Sequence, residues 1–378
     1  MPRGIFVTHR GFLTGTGGVQ AATREYLDVI AAAGVVLELC PIEADRRLSS
    51  RVLRRLVPSP YIRPAELGLS GKVASMARAQ AADVVFLNQV ALRVLVPALA
   101  ATLPPSCRIV VLSHGLESTD LRHRLRAPRA LPLSGPTGLA ASLALSHSVR
   151  TERGGASRAA VFCTLSPQDA ELERELGALR VDWLPRVVTP APLEWRPTGR
   201  HLGYLGTLDH APNLEGLVAV LDGLCAAALA PRVRVVGGPA VIGEWLARHY
   251  ACVDYVGPLG NAELLQEAAG WRAFLHPMFY VARGCSTKLA TALAWQIPTV
   301  TTTAGARGYV WRQGGPVIAD TPTAFVEASL RMLDHDAARA ARAGVVAAST
   351  STPTLADNAV RMGRLLGLTG PLDAATHL

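Results

Sequence analysis

Short apolar runs alternate with longer amphipathic stretches along nearly the whole chain, and the runs have the length of strands, not of helices. In the first half, GIFVTH, VVLELCPI, DVVFLN, CRIVVLSH, AAVFCTLS and RVDWLPRVV read as strands with helix-like segments between them, the first helix running from about Val19 to Ala33. The segment TPAPLEWRPTGR, rich in proline and polar residues, interrupts the series and reads as a linker. The alternation then restarts with HLGYLG, RVRVVGG, CVDYVG, RAFLHP and IPTVTTT as strands and NLEGLVAVLDGLCAAAL as a helix. The tail, TPTAFVEASLRMLDHDAARAARAG and TPTLADNAVRMGRLLGL, carries helical periodicity.

Strand and helix in regular alternation predict parallel sheets covered on both faces, hence an α/β protein. The length, 378 residues, suits two domains. The expected organisation is a doubly wound Rossmann-like domain over 1–190 and a linker over 191–200. A second such domain follows over 201–350, then a C-terminal helical segment over 351–378 that packs back on the first domain. Two domains of this kind facing one another place a ligand cleft at their strand C-terminal ends.

Composition narrows the class. The chain is 49% apolar and 18% charged, the balance of a well-cored globular protein. No window reaches the roughly 18 apolar residues of a membrane span, and the short apolar run after MPRG reads as a first strand, not a signal peptide. The six cysteines are scattered, without C-x-x-C pairs or zinc spacing, and are expected as free, mostly buried small hydrophobes in a reducing cytoplasm. Charge is uneven. Residues 1–190 carry 23 Lys and Arg against 15 Asp and Glu, and the remainder 15 against 14, so nearly all of the net +9 lies in the first half. The excess gathers at Arg46, Arg47, Arg51, Arg54 and Arg55 and at Arg122, Arg124, Arg126 and Arg129. Such clusters fit either a solvated surface or peripheral contact with an anionic partner such as the inner face of a membrane. Few aromatics interleave with the arginines, which argues against nucleic acid.

Candidate chemistry falls at strand ends. Gly15-Thr16-Gly17-Gly18 follows the first strand and opens the first helix, where glycine permits close approach to a phosphate or sugar. It is not a dinucleotide fingerprint, because Gln20 stands where the third glycine belongs. His114, in VVLSHGLES, and Glu117 beside it sit where a strand gives way to a loop. Asp334, His335 and Asp336 resemble a metal cluster but lie in a helical stretch remote from any strand end, and are expected as a solvated face; no metal site is expected. The segment RGCSTKLATALAWQIPTVTT brings small residues and Lys288, one of only two lysines, to the mouth of a helix. Ser286 or Thr287 there is either a plain helix cap or part of an anion site.

In order, HLGYLGTLDHAPNLEGL, RVRVVGG, VDYVGPLGNAELLQEAAGWRAFLHPM and RGCSTKLATALAWQIPTVTTTAGARGY closely resemble the C-terminal domain of GT-B-fold glycosyltransferases of retaining family four. GTGGVQ, LSHGLES and VFCTLSPQD extend the resemblance to the first half. The resemblance implies that the second domain binds a nucleotide-diphosphate sugar as co-substrate, with no further cofactor, and that the first holds the acceptor. Val256, Gly257 and Pro258 match the base-contacting segment, and Gly206 and Thr207 the turn after the first strand. Gly284, Cys285, Ser286, Thr287 and Lys288 match the helix start that receives the diphosphate. Gly17 and Gly18 match the glycine loop near the donor phosphates, and His114 a histidine that contacts the transferred sugar. Glu117 is the acceptor-side candidate. The chain departs from the pattern at four positions. Arg283 and Thr291 occupy the places of a frequent Glu-x7-Glu pair, the second of which usually holds the ribose; Thr207 and Asn213 stand where many relatives carry Arg and Lys. Arg283 then becomes a fork donor to the phosphates, with Lys288.

The expected activity is metal-independent retaining transfer of a sugar to an acceptor hydroxyl. The acceptor would be a glycan, a lipid-linked intermediate or a small molecule, as in polysaccharide, glycolipid or natural-product glycoside synthesis. Two other readings remain open: a non-catalytic binding or partner protein of the same fold, favoured by Arg283, Thr291 and Thr207, and a sugar-nucleotide epimerase, which needs more carboxylates and histidines than His114 and Glu117 supply.

Overall fold

The computed structural model describes residues 1–15, 17–43, 61, 68–126, 131–132, 138–155, 159–281 and 283–368. Arg46, Arg47, Arg51, Arg54, Arg55 and Arg129, the side chains of Arg124 and Arg126, and Thr16 lie outside the described residues, whereas Arg122 is exposed. The chain divides into two compact units. The first comprises Met1–Ser118, Gly138–Pro185 and Pro353–Leu378; the second comprises Thr119–Thr137 and Arg186–Thr352.

In the first unit the order is β1 (Arg3–His9), α1 (Arg10–Leu13), α2 (Gly18–Ala32), β2 (Val36–Ile42), α3 (Gly68–Ala79), β3 (Val84–Asn88), a 3-10 turn (Val90–Leu95), α4 (Val96–Thr102) and β4 (Arg108–Leu112). Next come α5 (Glu117–Arg126), which passes into the second unit at Thr119, then α6 (Gly138–Gly155), β5 (Ala160–Thr164), α7 (Pro167–Glu175) and β6 (Arg180–Trp183). The described strands form one parallel sheet in the order β2-β1-β3-β4-β5-β6. Every residue of β3 and of β5 is buried, which is why their sequences read as unbroken apolar runs, while the edge strand β2 exposes Val36 and Leu39. Arg93 and Glu173 form an ion pair inside this unit, with Nη1 3.1 and 3.0 Å from the two carboxylate oxygens and both side chains fully buried.

The second unit continues with β7 (His201–Leu205), α8 (Ala211–Ala226), β8 (Arg232–Val236), α9 (Ala240–His249), β9 (Val253–Gly257), α10 (Asn261–Ala269) and β10 (Ala273–His276). It ends with α11 (Thr287–Trp295), β11 (Thr299–Thr301), α12 (Thr303–Ala306), β12 (Val317–Ile318), α13 (Pro322–Arg331) and α14 (His335–Ser351). The final helix, α15 (Leu355–Leu365), belongs to the first unit; it packs on α2, and Asn358 Nδ2 donates to Pro185 O at 2.7 Å. The second sheet is also parallel, in the order β12-β11-β10-β7-β8-β9. Each sheet has a switch point, between β1 and β3 in the first and between β7 and β10 in the second, and open α/β sheets bind ligands at such crevices.

Several segments depart from the sequence pattern. The segment read as a linker hydrogen-bonds along the second unit, Ala191 and Leu193 N–H to Ala294 and Trp295 O, and Arg196 and Thr198 N–H to Ala269 and Gly270 O. The long helical tail breaks in two because Asp334 caps α14, its Oδ1 accepting from Ala337 N–H at 2.9 Å. Asp334 is therefore occupied by a cap, and His335 and Asp336 are exposed. The expectation of six free cysteines is corrected. Cys225 and Cys252 form a disulfide, because the last turn of α8 brings the Cys225 Cα within 5.0 Å of the Cys252 Cα just before β9. Cys40, Cys107, Cys163 and Cys285 are free. Among the described residues no helix is long and apolar enough to cross a membrane.

Candidate functional site

At the switch point of the second sheet, the turn after β7 meets the start of α11. A Cβ at Gly206 would lie 2.3 Å from Lys288 Cε, and one at Gly237, whose φ is +129°, would lie 2.0 Å from Gly206 O. At Gly237 the neighbour is backbone and only glycine admits the approach, whereas a side chain at Gly206 would have to displace the end of Lys288. Lys288, in the first turn of α11, donates to Asn213 Oδ1 at 2.7 Å, and Asn213 Nδ2 donates to Thr207 O at 2.8 Å. Burial pushes the Lys288 ammonium down to about 8. Its hydrogen-bonding partner among the described residues is a neutral amide, so the strand ends enclose a cation without a counter-charge.

The helix mouth is not closed by its own cap. Ser286 is the N-cap residue of α11, yet its side chain makes no capping bond; Oγ lies 2.8 Å from His276 Nε2 instead. His276 Nδ1 lies 2.8 Å from Thr301 Oγ1, which completes a fully partnered, buried imidazole at the end of β10. Burial, reinforced by the charges of Lys288 and Arg307, drives His276 well below the ordinary histidine range, so the ring is neutral. Tyr309 donates its hydroxyl to Ser286 O and accepts from Ala290 N–H, and Cys285 Sγ donates to Arg307 O at 3.1 Å. Gly284 takes φ +61°, which turns the loop into the helix.

Arg283, expected among the phosphate ligands, is engaged by a carboxylate. Its Nε lies 3.0 Å from Asp120 Oδ2 and its backbone N–H 3.1 Å from Asp120 Oδ1, while His210 Nε2 lies 3.2 Å from Oδ2. Burial alone would raise the Asp120 carboxyl, but the His210 hydrogen bond and the Arg283 charge hold it below its usual range. Thr291 donates to Thr287 O at 3.2 Å and so turns its hydroxyl back onto its own helix. At the ends of β8 and β9, Gly237 N–H donates to Gly257 O at 3.0 Å; Val256 is half-buried and Pro258 exposed. Gly206, Thr207, Val256, Gly257, Pro258 and the segment from Arg283 to Lys288 thus all belong to the strand C-terminal edge of one sheet and the helix that follows it.

Gly17, Gly18, His114 and Glu117 belong to the first unit. Gly17, with φ +152°, precedes α2, which Gly18 opens, and Gly17 O accepts from Ala21 N–H at 3.0 Å. His114 follows β4, with Nε2 2.9 Å from Asn88 Oδ1 and its ring edge-on to Tyr26. Glu117 opens α5.

Sequence reasoning passed over His276, Asp120, His210 and Glu215. His276 carried the same signal as His114, a histidine closing a buried strand. Glu215 reads as an ordinary position in a helix, yet it is 9% exposed, its Oε1 has no partner among the described residues, and burial pushes it up to about 7. Among the described residues no group of three or more His, Cys, Asp or Glu is placed to hold a metal ion.

By fold the protein is similar to two-domain glycosyltransferases. Sucrose-phosphate synthase from Thermosynechococcus elongatus superposes with a TM-score of 0.65 at 15% identity, over 97% of this chain and 99% of that one. The lipopolysaccharide outer core galactosyltransferase WaaB gives 0.60 at 13% identity over 97% and 99%. The Anabaena protein HepE, solved in complex with UDP and glucose, gives 0.60 at 12% identity over 97% and 100%. No curated protein matches the chain by sequence. Residues 199–335 match the family Glycosyl transferases group 1, which spans β7 to α13 and the site built on them. The chain thus has the two-domain fold of these glycosyltransferases, and its residues 199–335 are similar to the group 1 family.

Proposed function

We propose that the second unit binds the nucleoside diphosphate of a sugar donor at the start of α11, and that the protein transfers the sugar, with retention and without a metal ion, to a hydroxyl of an acceptor held by the first unit. The observation that carries this reading is Lys288, a cation pushed down to about 8 by burial, with a neutral partner and an uncapped helix start beside it. A departing nucleoside diphosphate supplies the missing negative charge, and fixed N–H groups with a cation stabilise it as it leaves. Gly284 to Lys288 then cradle the phosphates, Val256 to Pro258 face the base, and Gly17, Gly18 and His114 serve the donor's sugar end, with Glu117 on the acceptor side. The acceptor class is a glycan, a lipid-linked intermediate or a small molecule, and the basic first half suits an anionic or membrane-borne one.

Thermal stabilisation by UDP, GDP, ADP and dTDP, with Lys288→Ala in parallel, tests the reading. One nucleotide at 100 times its dissociation constant is expected to add about 2.7 kcal/mol, lost in the variant. The anomeric configuration of the product and activity in EDTA test retention and metal independence. The orientation of Thr291 onto Thr287 favours a second reading, a binding protein without turnover, because the ribose then lacks its usual carboxylate. No stabilisation by any of the four would carry the argument to that reading.

A further inference from the structure

Asn88 closes β3 at the switch point of the first sheet, and its side chain is completely buried. Three polar groups surround it. Nδ2 lies 2.8 Å from Thr8 Oγ1 and 3.0 Å from Thr23 Oγ1, and Oδ1 lies 2.9 Å from His114 Nε2. Counting donors decides which way the amide faces. As placed, both Nδ2 protons have a hydroxyl acceptor and Oδ1 receives one hydrogen bond. With the amide turned over, Oδ1 would take both hydroxyls, and one of the two Nδ2 protons would be left buried without an acceptor, a costly arrangement. Oδ1 therefore faces the imidazole, and His114 Nε2 must carry a proton to meet it.

We propose that Asn88 is a positioning residue for His114, fixing the neutral imidazole in its Nε2–H tautomer so that Nδ1 is the ring's basic nitrogen. The proposal rests on the reading of His114 as the residue that meets the transferred sugar. Two further features hold the pair. The Tyr26 ring stands edge-on to the imidazole with centroids 5.5 Å apart, and its hydroxyl is tied to Ser113 O at 3.2 Å. Gln89, the next residue after Asn88, has φ +95° and ψ +145°, a backbone region that non-glycine residues occupy only when their surroundings force it, and its N–H donates to Leu112 O at 3.0 Å. Strand end, amide and imidazole are thus locked as one piece, as a preorganised group requires.

The test is ring nitrogen NMR of the full chain, with His114 assigned by its loss in His114→Gln. The wild type is expected to show the Nε2–H pattern. Asn88→Ala, and the better-packed Thr23→Val, which removes one of the two Nδ2 acceptors and keeps the volume, are expected to mix the tautomers. Release of the nucleoside diphosphate from whichever of UDP-glucose, GDP-mannose, ADP-glucose or dTDP-glucose stabilises the protein should fall at least tenfold in kcat in these variants with KM little changed. Wrong-tautomer histidines elsewhere cost up to about 10⁴-fold. Asn88→Asp should keep the ring oriented and move the acid limb of the pH–rate profile upward, because a carboxylate favours the charged imidazole. An Nδ1–H pattern in the wild type, or an unchanged tautomer in both Asn88→Ala and Thr23→Val, overturns the proposal. If His114→Gln abolishes turnover while Asn88→Ala does not touch it, the positioning role fails and the reading of His114 stands. If His114→Gln leaves turnover intact, that reading itself fails.

Discussion

Replacing Glu215 by glutamine should remove a pH-dependent weakness from the second unit. Glu215 lies on α8 two residues after Asn213, is 9% exposed, and has one carboxylate oxygen with no partner among the described residues. Desolvation raises it from 4.5 to about 7. A carboxyl whose folded pKa is raised binds its proton more tightly in the native state. Its contribution is thus fully present below pH 4.5 and is lost as pH rises through 7. The full difference is about 3 kcal/mol, of which about 1 kcal/mol is already lost at pH 5 and nearly all by pH 8. Between those two values the wild type should lose roughly 2–3 kcal/mol relative to Glu215→Gln, or about 5–10 °C in the melting temperature of a domain this size. Thermal unfolding of both proteins from pH 5 to 8.5 reads this directly. Glutamine brings its own buried N–H donors, so a constant offset between the two curves is expected and carries no information; the slope of their difference does. Parallel curves across the whole range would mean that Glu215 ionises as it does in water, and the argument from its burial would be wrong.

Within the first unit, Glu173→Ala should destabilise by about 3–5 kcal/mol by leaving the buried Arg93 unpaired, whereas Arg93→Met with Glu173→Leu should recover most of that loss. Urea unfolding of the single and double variants checks both. The Cys225–Cys252 disulfide predicts an intact mass two hydrogens below the all-thiol value and a loss of about 3–4 kcal/mol for the Cys225→Ala, Cys252→Ala double variant, from a closed loop of sequence separation 27.

What was legible in the sequence follows from what burial does to it. The central strands β3 and β5 are buried on both faces and therefore announce themselves as apolar runs, as do β4 and β10. The two-residue β12 is too short to leave a periodic trace. The split between α13 and α14 rests on one capping aspartate inside an otherwise continuous helical pattern. That Thr119–Thr137 belongs with the second unit leaves no mark in composition, because assignment depends on which surface the segment packs against. The same division holds at the site. The residue types at the mouth of α11 raised the expectation of an anion site because glycine, serine, threonine and lysine there have local physical meaning. Their partners come from far along the chain: Asn213 to Lys288, His276 to Ser286, Asp120 to Arg283. Periodicity and spacing do not encode contacts of that separation.

The Asp120 pairing bears on how the site balances charge. Among the described groups at the strand ends of the second unit, His276 is neutral, Arg283 is matched by Asp120, and Lys288 donates to a neutral amide. A nucleoside diphosphate brings at least two negative charges, more than Lys288 and the partial charge of a helix start offset together. Asp120→Asn keeps the shape and the hydrogen-bonding oxygen but frees the charge of Arg283. One unit charge about 10 Å away at an effective dielectric near 20 is worth roughly 1–2 kcal/mol. Affinity for the nucleotide that stabilises the wild type should therefore rise about tenfold in the variant and fall back with added salt. Calorimetric titration at two ionic strengths measures both. Unchanged affinity would show that Asp120 fixes the loop before α11 and that the charge of Arg283 takes no part in holding the diphosphate.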